Sequence, residues 1–252
     1  MSQFDLAMHA GFSPRHVSFI ETGRTHASRD SLLVLAESLD VPLRERNRLL
    51  EAGGYARTYP QTPLDAEEMA PLRGVLKFIL DRHHPHAAVV LDRYSNCVMG
   101  NSASEQLVAA LVDPSLLAPP LNYLRITFHP RGARQWIVNW RELSSQLLAR
   151  TKRELGPIQN DPVALALLAE LQSYDDVPRD ERMPSVPEGA GLLVPIHIKK
   201  PDVELRLCCT YLTFGTPQDV TLQELRIETL FPADNESARV WDTLLEQQLV
   251  HP

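Results

Sequence analysis

The chain contains 252 residues, of which 44% are hydrophobic and 23% are charged, and its formal net charge at pH 7 is −7. This composition supports a packed core and excludes an intrinsically disordered chain, and no apolar run approaches the roughly 18 residues that a membrane span requires. The N-terminus lacks the features of a secretory signal, and the three cysteines do not form a disulfide framework, so a cytoplasmic location is expected.

Charges and prolines are distributed unevenly along the chain. Residues 1–59 contain seven basic and seven acidic side chains, so the whole net charge of −7 belongs to the remainder. Only Pro14 and Pro42, of 20 prolines, precede residue 60. These shifts predict two domains, at 1–57 and 64–250, with a linker within 54–63.

The first domain is predicted to be all-α, with four short helices. Capping side chains, prolines and glycines mark where each helix begins and ends. These boundary residues are Ser2 with Asp5, Gly11, Ser13 with Pro14, Gly23, Ser28, Pro42 and Gly53. Four helices within about fifty residues, with no strand pattern, indicate a small helical domain.

The second domain is predicted to combine helices with an antiparallel sheet. Its first helix is amphipathic, and its apolar face is formed by Leu72, Val75, Leu76, Ile79 and Leu80. The elements that follow are strands at 87–91 and 97–99, helices at 101–112, 134–154 and 162–173, a loop at 174–190, strands at 192–199, 203–214 and 224–231, and a helix at 235–249. This order predicts an α+β fold with helices packed against one face of the sheet.

Small and apolar residues in the first domain have the spacing of a helix-turn-helix. Ala7 allows two helices to cross closely, Gly11 makes the turn, and Val17 and Ile20 bury the inner face of the second helix. The outward face then carries Pro14, Arg15, Ser18 and Phe19. In such a motif the second helix lies in the major groove of DNA. A helical interaction domain that does not contact DNA is the alternative.

The run from Ser13 to Arg24 resembles the phage-repressor (Xre-type) helix-turn-helix, in the version found in MmyB-like bacterial regulators. The resemblance implies double-stranded operator DNA as a partner and a contact surface formed by Gln3, Ser13, Pro14, Arg15, His16, Ser18, Phe19 and Arg24. Within that surface, it implies that Arg15 and Ser18 face base edges. Gln3 would bond a phosphate, and Arg24 would reach the DNA backbone.

Such domains usually have five helices, and only four are predicted in this sequence, so the first helix is expected to be missing. Its absence predicts reduced cover for Phe4, Val17 and Ile20, and the zero net charge of 1–59 predicts weak non-specific attraction to phosphates. The alternative to a DNA-binding regulator is therefore a sensor or partner-titrating subunit with an incomplete DNA-binding domain.

Motifs over most of 72–245 resemble the ligand-binding domain of the same MmyB-like regulators. They are the segments 80–87, 96–101, 122–125, 137–140, 213–219 and 225–234. The resemblance implies a PAS-like domain with a fatty-acid-like ligand between its sheet and helices. Arg125 is the expected partner of the ligand carboxylate, with Asn139 and Tyr211 behind it. Alternatively, Arg125 pairs with a nearby Asp or Glu.

Other chemistries have weaker support. The histidines of the run 83–86 have no second ligand cluster beside them and are expected to be solvated at a helix end. Cys208 and Cys209 are expected in the core, on a strand that is apolar on both faces and needs cover on both, by helices, a partner subunit or a ligand. The chain has no nucleophile elbow, phosphate loop or dinucleotide motif, so neither an enzyme nor a cofactor is predicted.

Together these patterns predict a cytoplasmic one-component transcription regulator that is not bound to a membrane. A homodimer is expected to read a palindromic operator, with ligand binding changing the helix at 71–83 or the dimer contact.

Overall fold

The computed structural model describes residues 1–155, 161–177 and 195–249. The chain forms two compact units, the first comprising Met1–Ala70 and Phe214–Glu224 and the second comprising Pro71–Thr213 and Leu225–Pro252. The first unit therefore extends beyond residue 57 and includes a segment, 214–224, that the sequence places in the second domain.

The four helices at the start of the first unit are α1 (Gln3–Ala10), α2 (Pro14–Glu21), α3 (Arg29–Ser38) and α4 (Leu43–Ala52). Their predicted boundaries are confirmed: Ser2 and Asp5 form the capping box, Ser28 caps α3, and Gly11 ends α1 with a φ of 70°. A left-handed backbone of this kind favours glycine because it has no side chain to clash.

The core of the first unit lies between the inner faces of these helices. One cluster is formed by Leu6, Ala7, Val17 and Leu35, and a second by Ala27, Leu32 and Leu50. The expectation of poor cover is wrong for Val17, which is only 1% exposed, and for Ile20, which is partly buried against both clusters. It holds for Phe4, which is 61% exposed.

The second unit contains a five-stranded antiparallel sheet, which confirms the predicted α+β class. The strands are β1 (Ala88–Leu91), β2 (Cys97–Gly100), β3 (Ile196–Lys200), β4 (Val203–Leu212) and β5 (Arg226–Pro232). Their order in the sheet is β2-β1-β5-β4-β3, so the first hairpin lies beside the meander of the last three strands. Residues 192–194 of the predicted third strand lie outside the described residues, as do residues 178–190 of the predicted loop.

Helices cover the sheet and extend from it. They are α5 (Ala70–His83), α6 (Ser102–Leu111), α7 (Tyr123–Phe128), α8 (Trp140–Leu155), α9 (Pro162–Ser173) and α11 (Asn235–Leu249), while α10 (Val220–Glu224) belongs to the first unit. One core cluster lies between the sheet, α6 and α11, and a second between α7, α8 and α9.

Several predicted elements differ from the structure. The helix predicted from 134 begins at Trp140, because Ala133–Trp136 forms a 3-10 turn and Ile137 bridges to Ile198 of β3. The short helices α7 and α10 were not predicted. On α5, Val75 is 49% exposed, so the buried face is narrower than the apolar pattern indicates.

The two faces of β4 are not equally covered. Leu205 and Leu207 are buried on one face, whereas Leu212 on the other is 48% exposed, so the described helices do not cover this end of the strand. Among residues 1–155, 161–177 and 195–249, every helix is too short or too polar to cross a bilayer.

Candidate DNA-binding surface and ligand cavity

The helix α2 has the fixed inner face and open outer face that a recognition helix needs. Ser13 Oγ accepts a hydrogen bond from the backbone N–H of His16 at 3.2 Å, and Pro14 occupies the first helical turn. Val17 is buried, while Pro14 and Arg15 are exposed and His16, Ser18 and Phe19 are half-buried. The cap and the buried valine therefore fix the orientation of the outward side chains.

Two arginines flank one aromatic ring on this surface. The guanidinium carbons of Arg15 and Arg24 lie 5.0 Å and 5.9 Å from the centroid of the Phe19 ring. In the described part of the chain, neither arginine has a carboxylate partner, and both are exposed. A ring that stacks on both guanidiniums restricts their motion while leaving their N–H groups available to a nucleic acid. The spacing of Arg15 and Phe19, four residues apart, is the signal from which this pair could have been predicted.

Gln3 and His16 have partners within the unit. The Gln3 side-chain amide donates a hydrogen bond to the Glu21 carboxylate, which joins the start of α1 to the end of α2. The His16 ring lies 5.2 Å from the Phe12 ring. Gln3 would have to exchange Glu21 for a phosphate to play the role that the family resemblance implies.

A cavity of about 850 Å³ lies in the second unit, between the sheet and three helices. Its apolar wall comes from α6, α7 and the sheet, and includes Leu107, Val108, Leu111, Ile126, Ile198 and Leu207. This volume is within the range of about 300–1,000 Å³ that is typical of small-molecule sites.

The helix α8 provides most of the charged side chains in the cavity wall. The residues that line the cavity from this helix are Arg141, Glu142, Leu143, Ser145, Gln146, Leu147, Ala149, Arg150 and Arg153. Three of them are cationic and one is anionic, and Glu228 on β5 adds a second carboxylate. The polar wall is thus rich in hydrogen-bond donors.

The sheet side of the cavity changes from apolar to polar along β4. Leu207 is apolar, Cys209 pairs with Leu230 across the β4–β5 ladder, and Tyr211 pairs with Glu228. Because alternate residues of a strand share a face and rise by about 3.4 Å each, this gradient spans roughly 14 Å from Leu207 to Tyr211. A guest with an apolar body and a polar end would match it.

Arg150 meets Tyr211 at the polar end of that gradient. Its guanidinium carbon lies 4.4 Å from the centroid of the Tyr211 ring, and an N–H group donates to the phenol oxygen. Arg150 Nε lies 3.5 Å from an oxygen of Glu154, and the arginine side chain is only 18% exposed. These contacts hold a cation at the cavity wall.

The protonation states of this pair follow from their surroundings. Burial opposes the charge of Arg150, but Tyr211, Glu228 and Glu154 outweigh it and raise the pKa of the guanidinium. Desolvation of the phenol and the Glu228 carboxylate raise the pKa of Tyr211. At neutral pH, Arg150 is therefore a cation and Tyr211 a neutral phenol that can donate a hydrogen bond.

Two of the three residues predicted to hold a ligand lie elsewhere. Arg125 Nε donates to both carboxylate oxygens of Glu170, at 3.1 Å and 2.8 Å, as the alternative reading expects. The Asn139 side chain bonds the Pro195 carbonyl and the His197 N–H, so it fixes the chain before α8 to β3. Of the three, only Tyr211 is among the described residues that line the cavity. Arg150 was missed because it lies on a helix face outside the recognised motifs.

The histidine run and the paired cysteines have structural surroundings. His83 and His86 are half-buried against Phe231, with ring centroids 4.8 Å and 5.5 Å from it, so the expectation of solvated histidines is wrong for both. Cys208 and Cys209 are half-buried free thiols rather than fully buried core. Within the described ranges, no three side chains of the usual ligand types are grouped to hold a metal ion.

Two protein-family models match parts of this chain. Residues 72–244 match the model of the MmyB-like transcription regulator ligand binding domain, and residues 1–46 match a helix-turn-helix model. Both describe transcription regulators rather than enzymes. Among curated proteins, no sequence matches this chain significantly.

Proposed function

The chain belongs to the MmyB-like transcription regulator family, and we propose that it is a cytoplasmic, homodimeric reader of operator DNA that is controlled by a fatty acid. The acyl chain occupies the cavity of the second unit, and its carboxylate binds Arg150 with support from Tyr211.

The observation that carries the ligand proposal is the amphiphilic wall of the 850 Å³ cavity. An acyl chain fits the apolar part because each buried methylene contributes roughly 0.8 kcal/mol before ordering costs. A carboxylate fits the polar part because Arg150 is a fixed cation and Tyr211 is a neutral donor beside it. A neutral lipid would gain the free energy of burying its methylenes but would offer no carboxylate to Arg150 and Tyr211.

Binding is tested first with the full chain. We expect native mass spectrometry of the purified protein to show a co-purified acyl chain of ten or more carbons, or micromolar binding of dodecanoate after delipidation. Thermal shift should increase from octanoate to longer acids, because binding to the folded state raises its melting temperature. A flat response from eight to 18 carbons, with no lipid bound, would refute the ligand proposal.

The head-group site is tested with two matched substitutions, Arg150→Met and Arg125→Met. Arg150→Met should weaken dodecanoate binding by about 10- to 150-fold, corresponding to a charge-assisted hydrogen bond of about 1.5–3 kcal/mol. Binding of dodecanol should change little, since the alcohol has no anion. Arg125→Met, which removes a pair outside the cavity lining, should leave both affinities unchanged. The opposite pattern would return the head-group role to Arg125.

DNA binding is tested with duplexes selected from a randomised library. Arg15→Ala should reduce affinity for the selected duplex by about 1–3 kcal/mol and relax preference at one position of each half-site. Arg24→Ala should weaken all duplexes alike and reduce the salt slope by about one. Uniform loss in both variants would contradict the assignment of Arg15 to a base edge. A two-fold symmetric selected site, with two chains bound, would support the homodimer.

A protein-binding role for the first unit is the second candidate, and one observation favours it. Phe4 and Met8 lie one helical turn apart on α1 and are 61% and 64% exposed. An apolar pair of this kind suits a protein partner better than a phosphate backbone. Failure of the selection to enrich any duplex, in a chain whose cavity binds dodecanoate, would favour this alternative.

A further inference from the structure

The segment 214–224 connects two strands of the second unit but packs within the first. It leaves β4 after Leu212 and returns to the sheet at Arg226, where β5 begins. It contains the short helix α10, whose Val220 is only 1% exposed. A loop between two adjacent antiparallel strands usually lies in solvent. The 214–224 segment instead packs within the first unit.

Side chains of this segment bind the start of α4. Arg44 donates to both carboxylate oxygens of Glu224, at 2.6 Å and 2.8 Å, and the two side chains are 22% and 20% exposed. The backbone N–H of Leu43 donates to Gln223 Oε1 at 2.7 Å. Pro42, the N-cap of α4, makes no side-chain cap bond. Gln223 therefore supplies the acceptor that this helix end needs, from a position 180 residues away in the chain.

The same segment also holds the chain that follows α4. The N–H of Val220 donates to the Pro60 carbonyl at 2.8 Å, and the Thr62 hydroxyl donates to an Asp219 carboxylate oxygen at 2.7 Å. Asp219 is itself buried and caps α10 through the N–H of Thr221. Both ends of α10 are thus fixed within the first unit.

The strands that enter and leave the segment carry the polar end of the cavity. Tyr211 is the penultimate residue of β4, and Glu228 is its partner on β5. Both line the cavity, and Arg150 binds Tyr211 there. A carboxylate held by Arg150 and Tyr211 would therefore act on strand ends that are covalently continuous with the residues that cap α4.

We infer that the 214–224 segment transmits occupancy of the cavity to the helices of the first unit, by strengthening the contacts that cap α4. This inference rests on the proposed fatty-acid function and deepens it. Head-group binding orders the ends of β4 and β5, which stabilises the Gln223 and Glu224 contacts and thereby protects α4. Such coupling requires only that the ligand bind one arrangement of the segment better than another.

Hydrogen exchange with mass spectrometry tests the inference on the full chain, with dodecanoate as the probe. In the wild type, we expect dodecanoate to slow exchange in cavity peptides and, at least threefold, in peptides covering 43–52. Gln223→Ala and Glu224→Ala should abolish the second effect while the first remains. The double exchange Arg44→Glu with Glu224→Arg should restore it, because the ion pair is rebuilt in reverse.

Arg57→Ala is the matched control, since it removes an ion pair with Glu51 in the same unit without touching the segment. This variant should keep the effect of dodecanoate on α4. If dodecanoate slows exchange in the cavity peptides but leaves the exchange rate at 43–52 unchanged, the inference is overturned and the ligand proposal stands. An undiminished response of α4 in both alanine variants would also overturn it. No change anywhere would refute the ligand proposal itself, and the inference with it.

Discussion

Asn101 joins three elements of the second unit through one buried amide, and its replacement is expected to be costly. Its Oδ1 accepts from the N–H groups of Ala88 and Ser104, both at 3.0 Å. Its Nδ2 donates to the carbonyls of His86 and Leu80, at 2.8 Å and 3.3 Å. The residue is 8% exposed. The side chain thus caps α6, fixes the start of β1 and holds the end of α5, using its full bonding capacity.

The magnitude follows from what Asn101→Ala leaves behind. Loss of the cap on α6 costs about 1 kcal/mol. The buried N–H of Ala88 and two carbonyls lose a partner, at about 1–3 kcal/mol for each group that water does not reach. Because the vacated space admits some water, we expect a total of about 3–4 kcal/mol. With a urea slope of about 2 kcal/mol/M, the midpoint should fall by roughly 1.5–2 M.

Tryptophan fluorescence is a selective assay for this change, since all three tryptophans, at positions 136, 140 and 241, belong to the second unit. Asp234→Ala is the control, because Asp234 is half-buried, pairs with Arg206 and caps α11 through the single N–H of Ser237 at 2.7 Å. It should lower the stability by only about 1 kcal/mol. Equal midpoint shifts in the two variants would refute the reasoning, because the four-bonded amide would then contribute no more than a simple cap.

Three further predictions concern packing and protonation. Val17→Ala should destabilise the first unit by about 2 kcal/mol and accelerate its hydrogen exchange, whereas Val34→Ala, at a 38% exposed site, should not. Burial and the nearby His86 lower the pKa of His83 below 6.5. The unfolded chain therefore binds more protons as pH falls below about 6.5, and the urea midpoint should drop between pH 7.5 and 5.5, less so in His83→Gln. Burial raises the pKa of the Cys209 thiol, so iodoacetamide at pH 8 should label it at least about tenfold more slowly than an unfolded control.

Local signals predicted the first unit well. Ser2, Ser13 and Ser28 accept the cap bonds expected from their positions, because a cap depends only on a few neighbouring residues. The order of strands and helices in the second unit was also predictable, since alternating and helical periods differ clearly. The short helix α7 was missed because six residues give too little periodicity to recognise.

The site was less predictable because it depends on partners that are distant in sequence. Arg125 and Arg150 are both arginines near apolar residues, and only the fold assigns one to Glu170 and the other to the cavity wall. Gln223 and Glu224 likewise had no local signal for their contact with α4, which lies 180 residues away. The sequence predicts a strand from residue 224, whereas Glu224 ends α10, which packs within the first unit, and β5 begins at Arg226.

The central claim is that a fatty acid in the second unit changes DNA binding by the first, and its most direct test is a linked affinity measurement. Fluorescence anisotropy would give the Kd of the selected duplex with and without saturating dodecanoate, and the Kd of dodecanoate with and without duplex. We predict a change of at least about fivefold in the first, matched by the same factor in the second, because coupling between two binding sites is reciprocal. Identical duplex affinities in the presence and absence of bound dodecanoate would contradict the claim.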